Sequence, residues 1–520
     1  MNDCPLTPAT YSKLEALKKV DPEWSDEWAK NADGSYEGRS GTVEQVIDTQ
    51  GIESVEIGTV LEAASAKTER RYGEFRDYRP FDGLAIKYPF RALSALRFDL
   101  RQGRAPTEFW QSLLTNWPDE TSLRLRWLLA ETIQRLPNEA LVSLRYYLPR
   151  WLQKHWAELA DADRSRALDL FDCIAAVYIK AERNNTKSAI GDTTIGGVVQ
   201  DRSQVSLNKA INSPIGVLTE TLWHLVPKTA DVDGPLPEGV GQRLEALISA
   251  NGDGGGHAVC VIMSHFAWLD HWFSEWTSRV LLPLLVVKHS LSEAAWHGYP
   301  YSRNWPSTKT LKVLCPSLLA LLRGEAKWDL EKSERRTLIQ KLVVLMRPEN
   351  AGGPLISFDE AKLVFRALDE QGRSDAIWML GKIALEDGGW VKFVKPFIEH
   401  AWPRQVRFRT ESTSSSFAHL IESSGDSFPD AVRTVIGLLK PVPHLSSVIY
   451  RLSKKSDEGS LDFAQKHPTE TLMLLDALVP NDQSQMPYGL ETALQLIAEA
   501  APTLKKTKSW RRLSDLVSIV

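Results

Sequence analysis

Three consecutive stretches decide the fold: SFDEAKLVFRALDEQG (357–372), RSDAIWMLGKIALEDGG (373–389) and WVKFVKPFIEHAWP (390–403). In the first, Ser357 and Glu360 have the S-x-x-E spacing of a capping box. Leu363, Val364, Ala367 and Leu368 follow as an apolar stripe at helical spacing. Gly372 stands where a C-terminal cap would end that helix. The second stretch turns Ile377, Leu380 and Ala384 inward and stops at Gly388-Gly389. The third carries Trp390, Phe393, Val394, Phe397 and Ile398, with a kink expected at Pro396 and an end at Trp402-Pro403.

The same pattern extends in both directions. Leu125, Leu128, Leu129, Ile133 and Leu136 mark one face upstream, and Leu338, Ile339, Leu342, Val343 and Met346 another. Proline punctuates the helices. Pro137 and Pro149 bracket one, and Pro468 and Pro480 another. Pro429 opens a stripe of Val432, Val435, Ile436 and Leu439 that Pro441 closes. Proline fits a first helical turn and stops the helix before it. Short helices in unbroken succession predict an all-α chain: an irregular α-solenoid of stacked antiparallel helix pairs, HEAT/armadillo-like, at about 40–47 residues per repeat. Residues 257–263, HAVCVIM, fit a buried strand or a buried helix; the apolar run continuing through Phe266, Trp268 and Leu269 favours the helix.

Five regions follow. Residues 1–66 are an acidic N-terminal segment carrying Trp24 and Trp28. Residues 67–181 are a helical block whose stretch 67–104 is basic. Residues 182–213, without an aromatic residue, read as an exposed polar loop or linker. Residues 214–346 form a Trp/His-rich helical block, and 347–520 the C-terminal solenoid.

Composition fits this reading. The 520 residues are 43% hydrophobic and 25% charged, as in ordinary globular proteins. A net charge of −4 argues against a chain-wide coat for nucleic acid. Cys4, Cys173, Cys260 and Cys315 have no CxxC spacing, so neither a zinc knuckle nor a disulfide framework is expected, and scattered thiols suit a reducing cytoplasm. The N-terminus lacks the apolar core of a signal peptide. The longest apolar run, Val280 to Val287, is eight residues against the roughly 20 of a membrane span. The expectation is a cytoplasmic protein with no membrane contact.

Chemistry-bearing motifs are sparse. Asn251-Gly-Asp-Gly-Gly-Gly256 lacks the Lys and Ser/Thr of a phosphate loop and reads as an interhelix turn. Five histidines, His257, His265, His271, His289 and His297, fall within 41 residues. An enzyme reading would centre on His265, Asp270, His271 and Glu275, but His265 and His271 are about 240° apart on a helix and HExxH is missing. No catalytic residue, metal ligand or cofactor is assigned. Arg404, Arg407 and Arg409 around Phe408 suit a partner-binding patch, since Arg and aromatics dominate interface hot spots. Lys505, Lys506, Lys508, Trp510, Arg511 and Arg512 are candidate nucleic-acid contacts, where cation–aromatic alternation serves backbone neutralisation and stacking.

One further pattern is composite. Glu293-Ala-Ala-Trp-His-Gly298, Trp390-x-x-Phe-Val, His400-Ala-Trp-Pro-Arg-Gln405, Phe417-Ala-His-Leu420, Ser427-Phe-Pro-Asp430 and Lys466-His-Pro468 occur in that order. Together they resemble the helical C-terminal regions of bacterial anti-phage defence proteins that carry sirtuin-like NAD-hydrolase domains, over roughly 290–480. The family's chemistry belongs to its sirtuin-like domain, and no Gly-rich NAD-binding start of that kind is present, so no catalytic residue carries over. The resemblance implies a sensor or scaffold that acts with a separate effector or is one half of a split protein. Its partner would be an effector or phage protein. A nucleic-acid-binding solenoid is the second reading, and the enzyme the third.

Overall fold

The computed structural model describes residues 44–71, 76–191, 194–195, 198–199, 203–226, 234–348, 353–443, 445–453 and 463–518. Cys4, Trp24, Trp28 and most of the acidic segment lie outside the described residues. Helix dominates, as the apolar periodicity requires, and no described helix is long and apolar enough to cross a membrane. The chain divides into two compact units, Met1–Arg104 with Glu108–Thr121, and Ala105–Thr107 with Ser122–Val520.

In the first unit, three short strands form a sheet that the sequence did not announce. β1 (Glu44–Val46) pairs parallel and β2 (Glu69–Arg71) antiparallel with the central β3 (Arg76–Tyr78). Helices α1 (Val60–Lys67), α2 (Pro80–Lys87) and α3 (Pro89–Arg101) accompany it, the last two opening on prolines. Buried Asp82 of α2 accepts from Gln45 Nε2 at 2.6 Å and from the Ser112 hydroxyl, tying the helix to the strand side of this unit.

The second unit begins with helices that pack on one another, among them α4 (Leu148–Ala162) and α5 (Arg164–Ile179), joined by Asp163, whose side chain caps α5. Leu129, Ile133 and Leu136 are buried as the stripe predicts, but Leu125 and Leu128 are only half-buried, and Arg126 and Trp127 are buried beside them. α6 (Pro214–Leu222), α7 (Gly254–Met263) and α8 (Ser292–Gly298) form a central layer, with α7 packed against the other two. HAVCVIM is thus helical, and every residue of α7 is buried. Gly254-Gly-Gly256 belongs to the helix rather than to the turn expected there. A Cβ on Gly255 would lie 2.4 Å from the Ile248 carbonyl oxygen, and one on Gly298 2.2 Å from that of Cys260. Only glycine permits these backbone approaches. The expected loop 182–213 is helical at Arg183–Thr186 and Leu207–Ala210, and Thr186, Ser206, Lys209 and Ala210 are buried.

From residue 308 onward two rows of helices develop. α9 (Thr308–Leu322), α11 (Phe358–Ala367), α13 (Lys395–His400), α15 (Phe428–Val435), α17 (Pro468–Leu478) and α19 (Lys508–Ser518) pack in sequence on one another. So do α10 (Lys332–Leu345), α12 (Glu370–Ala384), α14 (Glu411–Ser423), α16 (Ser446–Ser453) and α18 (Leu490–Ala500). Each helix therefore touches the next but one. Leu338, Leu342, Val364, Leu368 and Val435 are buried as the stripes predict, whereas Ile436 is half-buried and Leu363 is exposed.

The Ser357–Glu360 capping box is present, but Gly372 does not end that helix. α11 stops at Ala367, and Gly372 is in the first turn of α12, where its N–H donates to the Asp369 cap at 2.8 Å. At Pro396 the missing N–H is accommodated by a π-helical turn over Trp390–Val394, directly ahead of α13.

Polar ties recur between successive pairs. Thr310 bonds Asp270 across 40 residues, Arg336 bonds Asp375 across 39, and Trp390 bonds Asp430 across 40. Arg433 bonds Glu470 across 37, and Arg512 bonds Asp476 across 36.

Candidate functional site

The sequence-predicted residues separate into engaged and exposed ones. Phe408 is 7% exposed, with the Arg373 guanidinium 4.9 Å from its ring centre and that of Arg407 at 4.7 Å. Phe408, which the sequence grouped with the arginines in a partner-binding patch, is therefore packed in the core in cation–π contact with both guanidiniums. Arg404 and Arg407 are exposed, but Arg409 is half-buried, its Nε enclosed and without a hydrogen-bond acceptor. In the tail, Lys505, Lys506, Lys508 and Arg511 are exposed and Trp510 is half-buried. Arg512 is committed. It donates to Asp476 Oδ1 at 2.7 Å, the Asp476 carbonyl at 2.6 Å, the Val479 carbonyl at 3.1 Å and Asn481 Oδ1 at 2.8 Å, pinning α19 to the end of α17. Four of its five N–H donors are spent inside the fold, which leaves little for a phosphate.

The proposed His265/Asp270/His271/Glu275 centre is not assembled. Asp270 is buried and accepts from Ser307 N–H and from the Thr310 hydroxyl, both at 2.6 Å, holding the start of α9. His271 and Glu275 are exposed, and the His265 ring lies 4.9 Å from Trp223.

A surface that sequence reasoning missed is better formed. A groove of 310 Å³ runs across α12, α14 and α16. Its apolar edge is Trp378, 55% exposed, and Leu385, 66% exposed. Lys382 stands one helical turn beyond Trp378, with Nζ 5.3 Å from the indole centre. The floor is open because Gly381 lies there: a Cβ would meet only Leu420 Cδ1, at 3.9 Å. The far wall is polar. Arg451 of α16 donates from Nη2 to His419 Nδ1 at 2.5 Å and pairs through Nε with Glu422 at 3.0 Å. Accepting at Nδ1 leaves the His419 ring proton on Nε2.

The chain matches no protein-family model, no curated protein and no solved structure.

The groove's character thus rests on its own geometry. An exposed tryptophan beside an aliphatic side chain offers area that water wets poorly, and the flanking Lys382, Arg451 and Glu422 supply polar partners at its margins. Tyr450, next to Arg451, is 56% exposed on the same helix. Among the described residues no group of three or more His, Cys, Asp or Glu side chains is arranged to hold a metal ion.

Proposed function

We propose that the chain is a non-enzymatic helical scaffold or sensor, an irregular α-solenoid of HEAT/armadillo type that binds a protein partner through the α12–α14–α16 groove. The two rows of helices and the ties recurring at intervals of 36 to 40 residues support the solenoid reading. The partner reading rests on Trp378, an exposed tryptophan at the edge of a concave site. Buried tryptophan anchors are among the strongest contributors to interfaces, with polar rims around them. The resemblance to anti-phage proteins is what supports bacterial defence as the setting, with an effector or a phage protein as the proposed partner. The nucleic-acid and enzyme readings have less support, because Arg512 and Asp270 are already engaged within the fold.

The test places a photo-crosslinking amino acid at Leu385 in the full chain, expressed in its host with and without phage infection. A discrete protein adduct is expected, lost in Trp378→Ala while the melting temperature stays unchanged. An adduct of equal yield in the Trp378→Ala protein would reject the groove as the interface.

A further inference from the structure

Four residues of α12 line the groove at positions i, i+3, i+4 and i+7: Trp378, Gly381, Lys382 and Leu385, the last being the helical residue directly after Ala384. Side chains at these spacings surround one hollow on a helix face. In knobs-into-holes packing such a hollow receives a side chain from a facing helix. Ser416, His419, Leu420 and Ser423 of α14 line the groove at the same spacings. Because α12 and α14 pack on each other, their two hollows flank one trough.

Gly381 sets the depth of that trough. Glycine in a helix interior is unfavourable relative to alanine. At Gly381 the backbone is ordinary α12 helix, and a Cβ would meet only Leu420 Cδ1, in normal contact at 3.9 Å. Neither the backbone nor the neighbours therefore require glycine here. Gly255 and Gly298 are the contrast, with carbonyl oxygens at 2.4 and 2.2 Å from their Cβ positions. What the missing side chain does at 381 is leave the hollow open toward Ile377 and Leu420, each 1% exposed. An apolar floor below a rim of Trp378 and Leu385 suits an aliphatic side chain.

Charge distinguishes the two sides. Glu422 pairs with Arg451 at 3.0 Å, and Glu386, one turn beyond Lys382, pairs with Arg347 at 2.6 Å. Lys382 is exposed and has the Trp378 ring at 5.3 Å instead. Its ammonium is the rim charge that these carboxylates leave for an incoming one. A strand has no sheet edge to join on α12, α14 and α16, whereas helices dock by seating apolar residues in such troughs. We propose that the partner inserts an amphipathic α-helix, with an aliphatic residue over Gly381 and a carboxylate beside its apolar stripe paired with Lys382. This rests on the groove being the partner interface and adds the partner's conformation and charge.

Selection from a displayed library of random peptides about 15 residues long, four helical turns, tests it. The full chain is the bait and its Gly381→Leu variant the counter-bait. That substitution fills an open site on a helix and should leave the melting temperature unchanged or raised. Peptides that bind the wild type at least about tenfold more tightly than Gly381→Leu are expected to repeat apolar residues at helical spacing, with Asp or Glu beside them. Lys382→Glu, at an exposed position, carries the test independently of Gly381. It should weaken these peptides about fivefold, and replacing their acid by Lys should restore binding. Apolar residues in strict alternation, a proline-rich consensus, or no peptide that tells the wild type from both variants would each overturn the helix. So would self-association of the wild type, seen by sedimentation, that Gly381→Leu abolishes, since a second copy would then be the occupant. Those results would leave the groove as the interface if the Trp378-dependent adduct at Leu385 still forms; loss of that adduct would remove both readings.

Discussion

His297 and Glu334 are 37 residues apart in sequence, yet they meet at 2.7 Å in the interior, each with a fully buried side chain. The pair joins α8 to the start of α10 and lets Glu334 serve two partners at once, the imidazole and the cap amide of Glu331. Removing one member leaves the other's polar atoms buried without an exchange partner. Glu334→Ala is expected to lower unfolding free energy by about 3 kcal/mol, measured by urea denaturation.

Asp270 holds the beginning of α9 through one backbone and one side-chain bond. Asp270→Ala should cost about 2 kcal/mol, because the Ser307 amide and the Thr310 hydroxyl lose a charged acceptor. Amide hydrogen exchange should speed up first in the opening turn of α9. Unchanged exchange there would contradict the structural role assigned to this carboxylate.

Two glycines should respond with opposite signs. Gly298→Ala drives a methyl group to 2.2 Å from the Cys260 carbonyl oxygen, so α7 and α8 must separate, at a cost of about 3 kcal/mol. Gly381→Ala meets nothing closer than 3.9 Å in a helix interior and should stabilise by about 1 kcal/mol. Thermal melting of both variants checks the pair.

Lys341 gives a pH dependence of known sign. Its Nζ donates to the Ser302 carbonyl at 3.2 Å and lies 5.0 Å and 4.7 Å from the ring centres of Tyr299 and Trp305. Burial lowers its pKa from 10.5 to about 8. The unfolded chain therefore holds the proton more tightly than the folded one, and stability rises as pH increases from about 8 toward 10.5. Below that window the buried ammonium costs up to about 3 kcal/mol. Lys341→Met should flatten the slope between pH 8 and 10 and raise the melting temperature at pH 7. A wild-type slope retained in the variant would assign the effect to other groups.

The sequence was most legible where one apolar stripe meets one buried face. Leu338, Ile339, Leu342 and Val343 are all fully buried, as are Val394 at the end of the π-helical turn and Phe397 and Ile398 in α13. It was least legible where tertiary contacts decide. Strands three residues long carry no alternation to read, so the sheet of residues 44–78 left no pattern. Gly372 resembled a terminator because a glycine after a stripe usually is one, but Asp369 starts a new helix first. Trp378 directly follows Ile377 and both line the groove, but only the packing of α14 against α12 reveals that Ile377 is buried and Trp378 left exposed. His297 was noticed as one of five clustered histidines, but the residue that orients it, Glu334, lies far along the chain and belonged to no motif.

The recurring ties also bear on how the chain comes apart under load. Each joins positions no more than about 40 residues apart, so none spans the whole row of helices. Pulled from its ends, the region from α9 to α19 would yield pair by pair, each rupture freeing roughly 130 Å of extended chain. A sawtooth force trace with that spacing would follow, rather than one all-or-none rip.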